Sequence, residues 1–359
     1  MSVMIGVDPH KATHTAVAIG QGEEELGRVQ VRATRRQVDQ LVSWAAPFEI
    51  RTWAVESAGG LGYLLAQELV AAGEVVIDVP ATLAARVRVL ASGSSNKNDP
   101  NDAFSVAVAA LRTPVLAKVA AADHVEILRL LAKRNTDIGN QRCRVVCRLH
   151  AALSELSAGG IAKELNASDA DALLAAVAPR TPVERVRHQL ALDLLDEVRT
   201  LDAQLKASHR RIAEAVRASK TTVTEIFGVG PIIACMAIGH SRDIRRFANR
   251  DHYAAYNGTA PIEFSSGGRV VHRLSQRGNR QLNHAIHMAA VCQIRQPHSE
   301  GRAYFDRKVA DGKTKKEALR ALKRRVSDAI YRQLVLDTKV RAREDTQGTT
   351  LCQRDRLTP

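Results

Sequence analysis

Four carboxylates in the first third of the chain, Asp8, Glu56, Asp99 and Asp102, have the types and settings of a divalent-metal site. Asp8 ends a short apolar strand, and Glu56 ends the strand WAV-Glu ahead of Ser-Ala-Gly-Gly. Asp99 and Asp102 stand three apart at a helix start, hence on one face. If the first strand lies beside the fourth, the first two acids project at neighbouring strand ends, and a helix N-terminus can carry the other pair to them. Acids gathered without a basic partner repel strongly in a low-dielectric cleft unless divalent cations lie among them. Hard oxygen donors suit Mg²⁺ or Mn²⁺, and two such ions about 3.5–4 Å apart stabilise the attacking and leaving oxygens of phosphoryl transfer. Each acid alone has a plainer reading: Asp8 accepting backbone hydrogen bonds at a turn, Asp99 capping a helix. Taken jointly, on a basic chain, the metal site is the better account.

A second constellation is Ser265-Ser266-Gly267-Gly268. On spacing alone it is the turn of a hairpin between Ile262 and Val271. Glycines there also let a backbone approach a phosphate and leave the adjacent hydroxyl open. Arg269, His272, Arg273, Arg277 and Arg280 follow, a dense cationic run beside that hydroxyl. A serine is a weak nucleophile until its proton is removed, which a carboxylate of the first set or a hydroxide on its metal could do. The arginines would neutralise developing phosphate charge.

A third is Gly228-Val229-Gly230, a turn that presents backbone N–H groups at a helix start, a sequence-independent phosphate contact. A plain turn between helices is the alternative; Arg242, Arg245, Arg246 and Arg250, close behind, favour phosphate. The run Lys313, Lys315, Lys316, Arg320, Lys323, Arg324 and Arg325 is either a nucleic-acid grip or a solvated helix face.

The elements that must position these residues fall into blocks. Residues 1–115 give strands at Val3–Val7, His14–Ile19 and Leu26–Val31, a helix at Arg36–Trp44 and a strand at Thr52–Val55. A helix at Leu61–Ala72, a strand at Val75–Val79 and a helix from Asp99-Pro100 follow. That order, βββαβαβα, predicts a mixed sheet of the ribonuclease H type. Residues 121–219 read as helix, polar break, helix: Leu131, Ile138, Val145 and Ala152 recur every seven residues, and Leu194, Val198, Leu201, Leu205 and Ile212 make a second stripe. A long antiparallel hairpin, a dimeric coiled coil, and two helices packed on a globular core all meet that pattern. Residues 220–340 are helical around an irregular centre, and the polar tail from Arg341 lacks periodicity, so disorder is expected there. The expected domains are 1–118, 119–219 and 220–340, with a tail over 341–359.

Charge divides the same way. The 359 residues carry 52 Lys or Arg and 38 Asp or Glu, a net +14, of which residues 1–100 hold −2, 101–200 hold +1 and 201–359 hold +15. A basic half of that size points to a polyanion, most often nucleic acid. Five scattered cysteines make no C-x-x-C pair, and Cys143 and Cys147 are expected as buried thiols of a reducing cytosol. No run approaches the roughly 18 apolar residues of a membrane span, and Asp8 interrupts any signal-peptide core. A soluble, intracellular protein is expected.

GVDPHK at 6–11, VESAGG at 55–60 and KNDPNDA at 97–103 resemble the DEDD signatures of the RuvC-like domain in the IS-one-ten family of insertion-sequence transposases. IFGVGPIIA at 226–234, APIEFSSGG at 260–268 and LSQRGNRQLNHAIH at 274–287 resemble that family's C-terminal transposase domain, in the family's order over about residues 1–340. The resemblance implies an α/β ribonuclease H/RuvC-like N-terminal domain, a helical coiled-coil linker and a mostly α C-terminal transposase domain. It implies a DNA recombinase guided by a structured bridge RNA, forming a dimer or tetramer. Ser266 would attack DNA and form a phosphoserine link, with Ser265 the lesser candidate. Asp8, Glu56, Asp99 and Asp102 would bind Mg²⁺ or Mn²⁺. Gly228, Gly230, Arg242, Arg245, Arg246, Arg269, Arg273, Arg277, Arg280, Lys323 and Arg324 are the expected nucleic-acid contacts. The setting expected is the bacterial cytoplasm, on the nucleoid when DNA is bound. Two rivals stay open: a RuvC-like, structure-selective nuclease using water, and a non-catalytic nucleic-acid-binding scaffold.

Overall fold

The computed structural model describes the backbone of residues 2–92, 99–113, 116–159, 161, 164–266, 269–274 and 278–354, and their side chains except at 90–92, 99, 262–266, 269–274 and 343–354. The chain divides into two compact units, Met1–Ala122 and Asp123–Pro359.

The first unit is built on a mixed sheet. Strands β1 (Ser2–Pro9), β2 (Thr13–Ile19) and β3 (Glu25–Arg32) form the antiparallel meander expected of three apolar runs joined by short turns. After α1 (Gln37–Trp44), β4 (Ile50–Glu56) pairs parallel to β1; after α2 (Tyr63–Ala71), β5 (Val76–Val79) pairs parallel to β4. Helices α3 (Ala81–Ser92) and α4 (Asp99–Arg112) follow, then a short β6 (Ala117–Lys118), giving the order β3-β2-β1-β4-β5-β6. Strand alternation sends Val3, Ile5, Val7, Trp53 and Val55 to the α1–α2 side with Leu41, Leu65 and Leu69. Ala54, Val17 and Ile19 go to the other side, against Val106 and Ala107 of α4. The expected strands and their neighbours are present; α3 and β6 are additions.

Gly6 fixes how close α4 lies to β1. A Cβ there would sit 2.1 Å from the Ala103 carbonyl oxygen and 2.5 Å from the Ala107 nitrogen. Only a residue without a side chain admits a helix backbone at that range.

The second unit is helical apart from one hairpin. Helices α5 (His124–Ser154) and α7 (Pro182–Ala218) pack antiparallel within the chain, with α6 (Ala167–Ala175) in the break between them. Ile138, Val145, Leu149 and Leu153 meet Ala191, Leu195, Val198 and Leu201, and ion pairs Arg142–Asp202 and Arg187–Glu155 fix the antiparallel register. Thr181 and Glu184 form a capping box at α7, with Pro182 in its first turn. Cys143 and Cys147 are exposed, contrary to the buried thiols expected: the stripe of Ile138, Val145 and Leu149 turns them outward. Among the described cysteines, Cys235 is the buried one.

At the base of the hairpin, Leu128, Ile212 and Val216 join α8 (Pro231–Ser241), α10 (Arg280–Arg295) and α12 (Lys315–Arg354) in one core. Between α8 and α10 lie α9 (Arg250–Tyr256) and the hairpin of β7 (Pro261–Ser266) and β8 (Arg269–Leu274); α11 (Glu300–Ala310) precedes α12. Helix α12 is described to Arg354; Leu334 and Asp337 are buried on it, Asp337 accepts from Thr221, and Arg341 donates to the Ser219 carbonyl.

Candidate active site

Asp8 and Glu56 end β1 and β4, which run parallel and in register through Val7 and Val55. Alternation puts both on the side of Ala54 and Gly6, the side that α4 covers. Asp102, in the first turn of α4 and 7% exposed, is brought to the same end of the sheet by the close approach at Gly6. Ser57 follows Glu56 with φ of 51°, and the turn is pinned by Ser57 N–H donating to the Val79 carbonyl and Ala58 N–H to Asp78 Oδ1.

Asp8 is 6% exposed. Burial pushes its carboxyl up to about 6; Glu56 and Asp102 push the same way, Glu56 also through a side-chain hydrogen bond, and His10 opposes. Asp8 Oδ2 is buried without a hydrogen-bond partner, with His10 Nδ1 at 3.5 Å. Asp102 is engaged in an ion pair with Arg88 of α3. Among the described residues, no three acidic, histidine or cysteine side chains converge as ligands of one ion. Asp99 begins α4, and its side chain lies outside the described residues.

The serine motif ends β7, where Ser265 pairs with Val270 and Ser266 with Arg269 across the antiparallel hairpin. The expected hairpin is thus present. Gly267, Gly268 and Arg277, and the side chains of Ser265, Ser266, Arg269 and Arg273, lie outside the described residues. Gly228 has φ of +81° against the Ala289 carbonyl, a packing turn; Gly230 precedes α8, with open space where a Cβ would be. Of the basic residues expected to grip nucleic acid, Arg245 is committed to Asp243, and Arg324 to Asp251 and Asp328. Arg246 lies over the rings of Phe247 and Tyr256 and donates to the Ser241 carbonyl. Arg242 and Arg280 are exposed, and Lys323 is buried.

A model of IS110-type DEDD transposases matches residues 5–158, and that of the transposase IS116/IS110/IS902 family matches residues 220–306. The chain belongs to the IS110 family of transposases. This transposase is similar to an insertion element IS116 protein of 44.8 kDa from Streptomyces clavuligerus, 26% identical over 92% of this chain and 94% of that one. It is also similar to an insertion element IS900 protein of 42 kDa from Mycobacterium paratuberculosis, 27% identical over 92% of this chain and 95% of that one. Two solved T. thermophilus RuvC structures, one in complex with a Holliday junction substrate, cover 33% of this chain and 100% and 99% of theirs. Their identities are 15% and 17%, and their TM-scores 0.27 and 0.26. Membership makes the transposase a DNA-cutting and rejoining enzyme. Among the described residues, no helix is long and apolar enough to cross a membrane.

Around the acids, the transposase has neighbours that motif reading does not find. Arg88 stands in a helix that the sequence pattern leaves unassigned. His14 of β2, opposite Pro9, is buried and bonded to Gln37 Oε1 at 2.9 Å, and Gln37 donates to Glu68 Oε2 at 2.6 Å. An apolar-polar alternation reads these as strand and helix positions, and only the fold shows that they line up behind Asp8's strand. The acids themselves suit a hard divalent cation: all their donors are oxygens, Asp8 holds a buried oxygen with no hydrogen-bond partner among the described residues, and Glu56 and Asp102 crowd it against the opposing pull of His10.

Proposed function

We propose that the transposase cuts and rejoins DNA through a phosphoserine link formed by Ser266, with Asp8, Glu56, Asp99 and Asp102 holding Mg²⁺ or Mn²⁺. The observation that carries the metal half is Asp8: a buried carboxyl crowded by Glu56 and Asp102, with one oxygen that takes no hydrogen bond among the described residues and only His10 at ion-pair range, is a group suited to a cation. A divalent ion there supplies charge neutralisation for the phosphoryl group and a lowered pKa for the attacking hydroxyl.

The chain's own residues do the rest. Ser266 Oγ gives its proton to a carboxylate of the acid set and attacks the phosphorus; the P–O bond to the sugar breaks, and the protonated carboxyl returns that proton to the departing sugar oxygen. The phosphoserine keeps the phosphodiester energy, so rejoining needs no ATP. Arg269, Arg273 and Arg277 neutralise charge beside the serine, and Gly230 with Arg242 contacts backbone phosphate. Sequence choice falls to a bridge RNA that pairs with element and target, which frees the protein from reading bases. The serine of one protomer meets the acids of another, so cutting waits for a dimer or tetramer assembled on DNA.

The test is an adduct assay with protein, guide RNA and DNA, denatured before analysis. A covalent DNA–protein product is expected from the native protein, none from Ser266→Ala, and none from Asp8→Asn with DNA binding retained. An adduct surviving in Ser266→Ala removes the serine from its role. Free 5′-phosphate ends without any adduct would instead mark a water-using nuclease.

A further inference from the structure

Among the described residues, Lys323 of α12 is the only buried lysine or arginine, at 9% exposure. Its Nζ donates to Asn283 Oδ1 of α10 at 2.7 Å. The described ion pairs of this part of α12 bypass it: Arg320 goes to Glu317, and Arg324 to Asp251 and Asp328. What surrounds it is positive. Burial and then Arg280 hold the Lys323 ammonium below its ordinary value, and burial, Lys323 and His284 do the same to His287. Arg280, Asn283, His284 and His287 recur on one face of α10 at helical spacing.

The ammonium is also held still. Asn283 Nδ2 donates to the Asn257 carbonyl at 2.7 Å, and Asn257 Nδ2 donates to the buried Ser327 Oγ at 2.8 Å. Asn257 Oδ1 accepts from Thr259 Oγ1 at 2.6 Å. Asn279, beyond the other end of the β7–β8 hairpin, donates its N–H to the Tyr256 carbonyl at 2.7 Å. Both ends of the hairpin that carries Ser266 therefore rise from the network that fixes Lys323. A buried cation with a neutral amide as acceptor and like charges nearby is costly, and an apolar residue would pack there without that cost. An anion completes the arrangement. A guanidinium, an ammonium and an imidazole N–H converging from two helices suit the several oxygens of a phosphate.

We propose that Lys323, with Arg280 and His287, forms a phosphate site at the root of the serine hairpin. The occupant, a backbone phosphodiester of the nucleic acid, rests on the function proposed above; the anion site rests on the burial of Lys323, its bond to Asn283 and the place of Arg280 and His287 on the same face of α10 as Asn283. Six residues of β7 at roughly 3.4 Å each span about 20 Å, so this is not the phosphate that Ser266 attacks. It is one further along the strand, whose capture sets where the serine falls. Lys323 is a positioning residue.

Two variants of the full chain test this, using inorganic pyrophosphate and a fixed duplex DNA as probes. Lys323→Gln keeps a donor for Asn283 Oδ1 and removes the charge; Asn283→Asp gives the ammonium an internal partner. Without anion, both variants should melt at or above the native temperature. Both should lose the rise in melting temperature that pyrophosphate gives the native protein. Lys323→Gln should bind DNA about tenfold more weakly, as loss of one charged hydrogen bond predicts. The slope of log affinity on log salt should shrink by about one phosphate contact. A lower melting temperature with the pyrophosphate rise intact would make Lys323 structural and overturn the site, as would a native protein that pyrophosphate does not stabilise. Loss of the rise with unchanged DNA affinity and slope overturns the nucleic-acid occupant. A missing Ser266 adduct with both effects present strikes the serine chemistry and leaves the phosphate site standing.

Discussion

Removing a proton from Asp8 places a charge where water cannot solvate it and two acids repel it. In the metal-free protein that charge opposes folding, so replacing it with a neutral isostere should help. Asp8→Asn is expected to stabilise the protein in EDTA by on the order of 1–3 kcal/mol, seen as a higher melting temperature, for a buried group relieved of like-charge crowding. Mg²⁺ should raise the melting temperature of the native protein and leave that of Asp8→Asn unmoved; equal gains in both would place the ion elsewhere. Arg88 behaves in the opposite sense, because its guanidinium already neutralises Asp102. Arg88→Met leaves a carboxylate that is 7% exposed without its ion pair, and should cost about 3 kcal/mol in EDTA. Mg²⁺ should restore more stability to Arg88→Met than to the native protein, since the cation then replaces a lost partner. A variant as stable as the native chain in EDTA would show that the ion pair contributes nothing.

Elements deliver these residues, and Gly6 shows how narrowly. The helix that carries Asp102 touches β1 through a position with no room for a methyl group. Gly6→Ala should push α4 off the sheet, cost about 1–3 kcal/mol as an overpacked core position, and weaken Mg²⁺ binding although no ligand is changed. Melting curves and Mn²⁺ titration check both halves; intact Mn²⁺ affinity would free the site from the helix's placement. How legible this was differs by element. Val3 to Val7 is a short apolar run, and three strand runs before the first helix give the strand order, hence the meeting of Asp8 with Glu56. Helix α3 was not legible, since ATLAARVRVL mixes arginine with β-branched residues on every face and has little amphipathic contrast. Arg88 was lost with it. Cys143 and Cys147 misled for a related reason: cysteine favours burial by type, but the heptad stripe decides which face is inside, and they stand off it.

At the scale of the molecule, charge is separated along the chain, with an acid cluster in the first unit and the basic excess in the second, and that was fully legible from composition. Its electrostatic consequence for the fold was not, because it depends on which imidazoles are buried beside cations. His240 is held below its ordinary value by burial, then by Arg129 of α5 and by Arg242. His124 is lowered by burial and Arg341, and His287 by burial, Lys323 and His284. All three belong to the second unit; His14, lowered by burial, belongs to the first. A base whose folded pKa lies under its unfolded value of about 6.5 binds fewer protons when folded. Stability is therefore intact above about pH 6.5 and is lost as the pH falls from there through the folded value. Among the described residues the second unit carries three such groups against one, so its unfolding transition should move down in temperature more steeply between pH 7 and pH 5. His240→Gln removes one titration and should flatten that slope without changing the melting temperature much at pH 7.5. Calorimetric scans across that range decide it: a slope unchanged in His240→Gln would mean that burial and the field of Arg129 and Arg242 do not depress that ring. Phosphate should act against the trend, since an anion beside Lys323 and His287 favours the protonated ring and makes binding tighter as the pH falls.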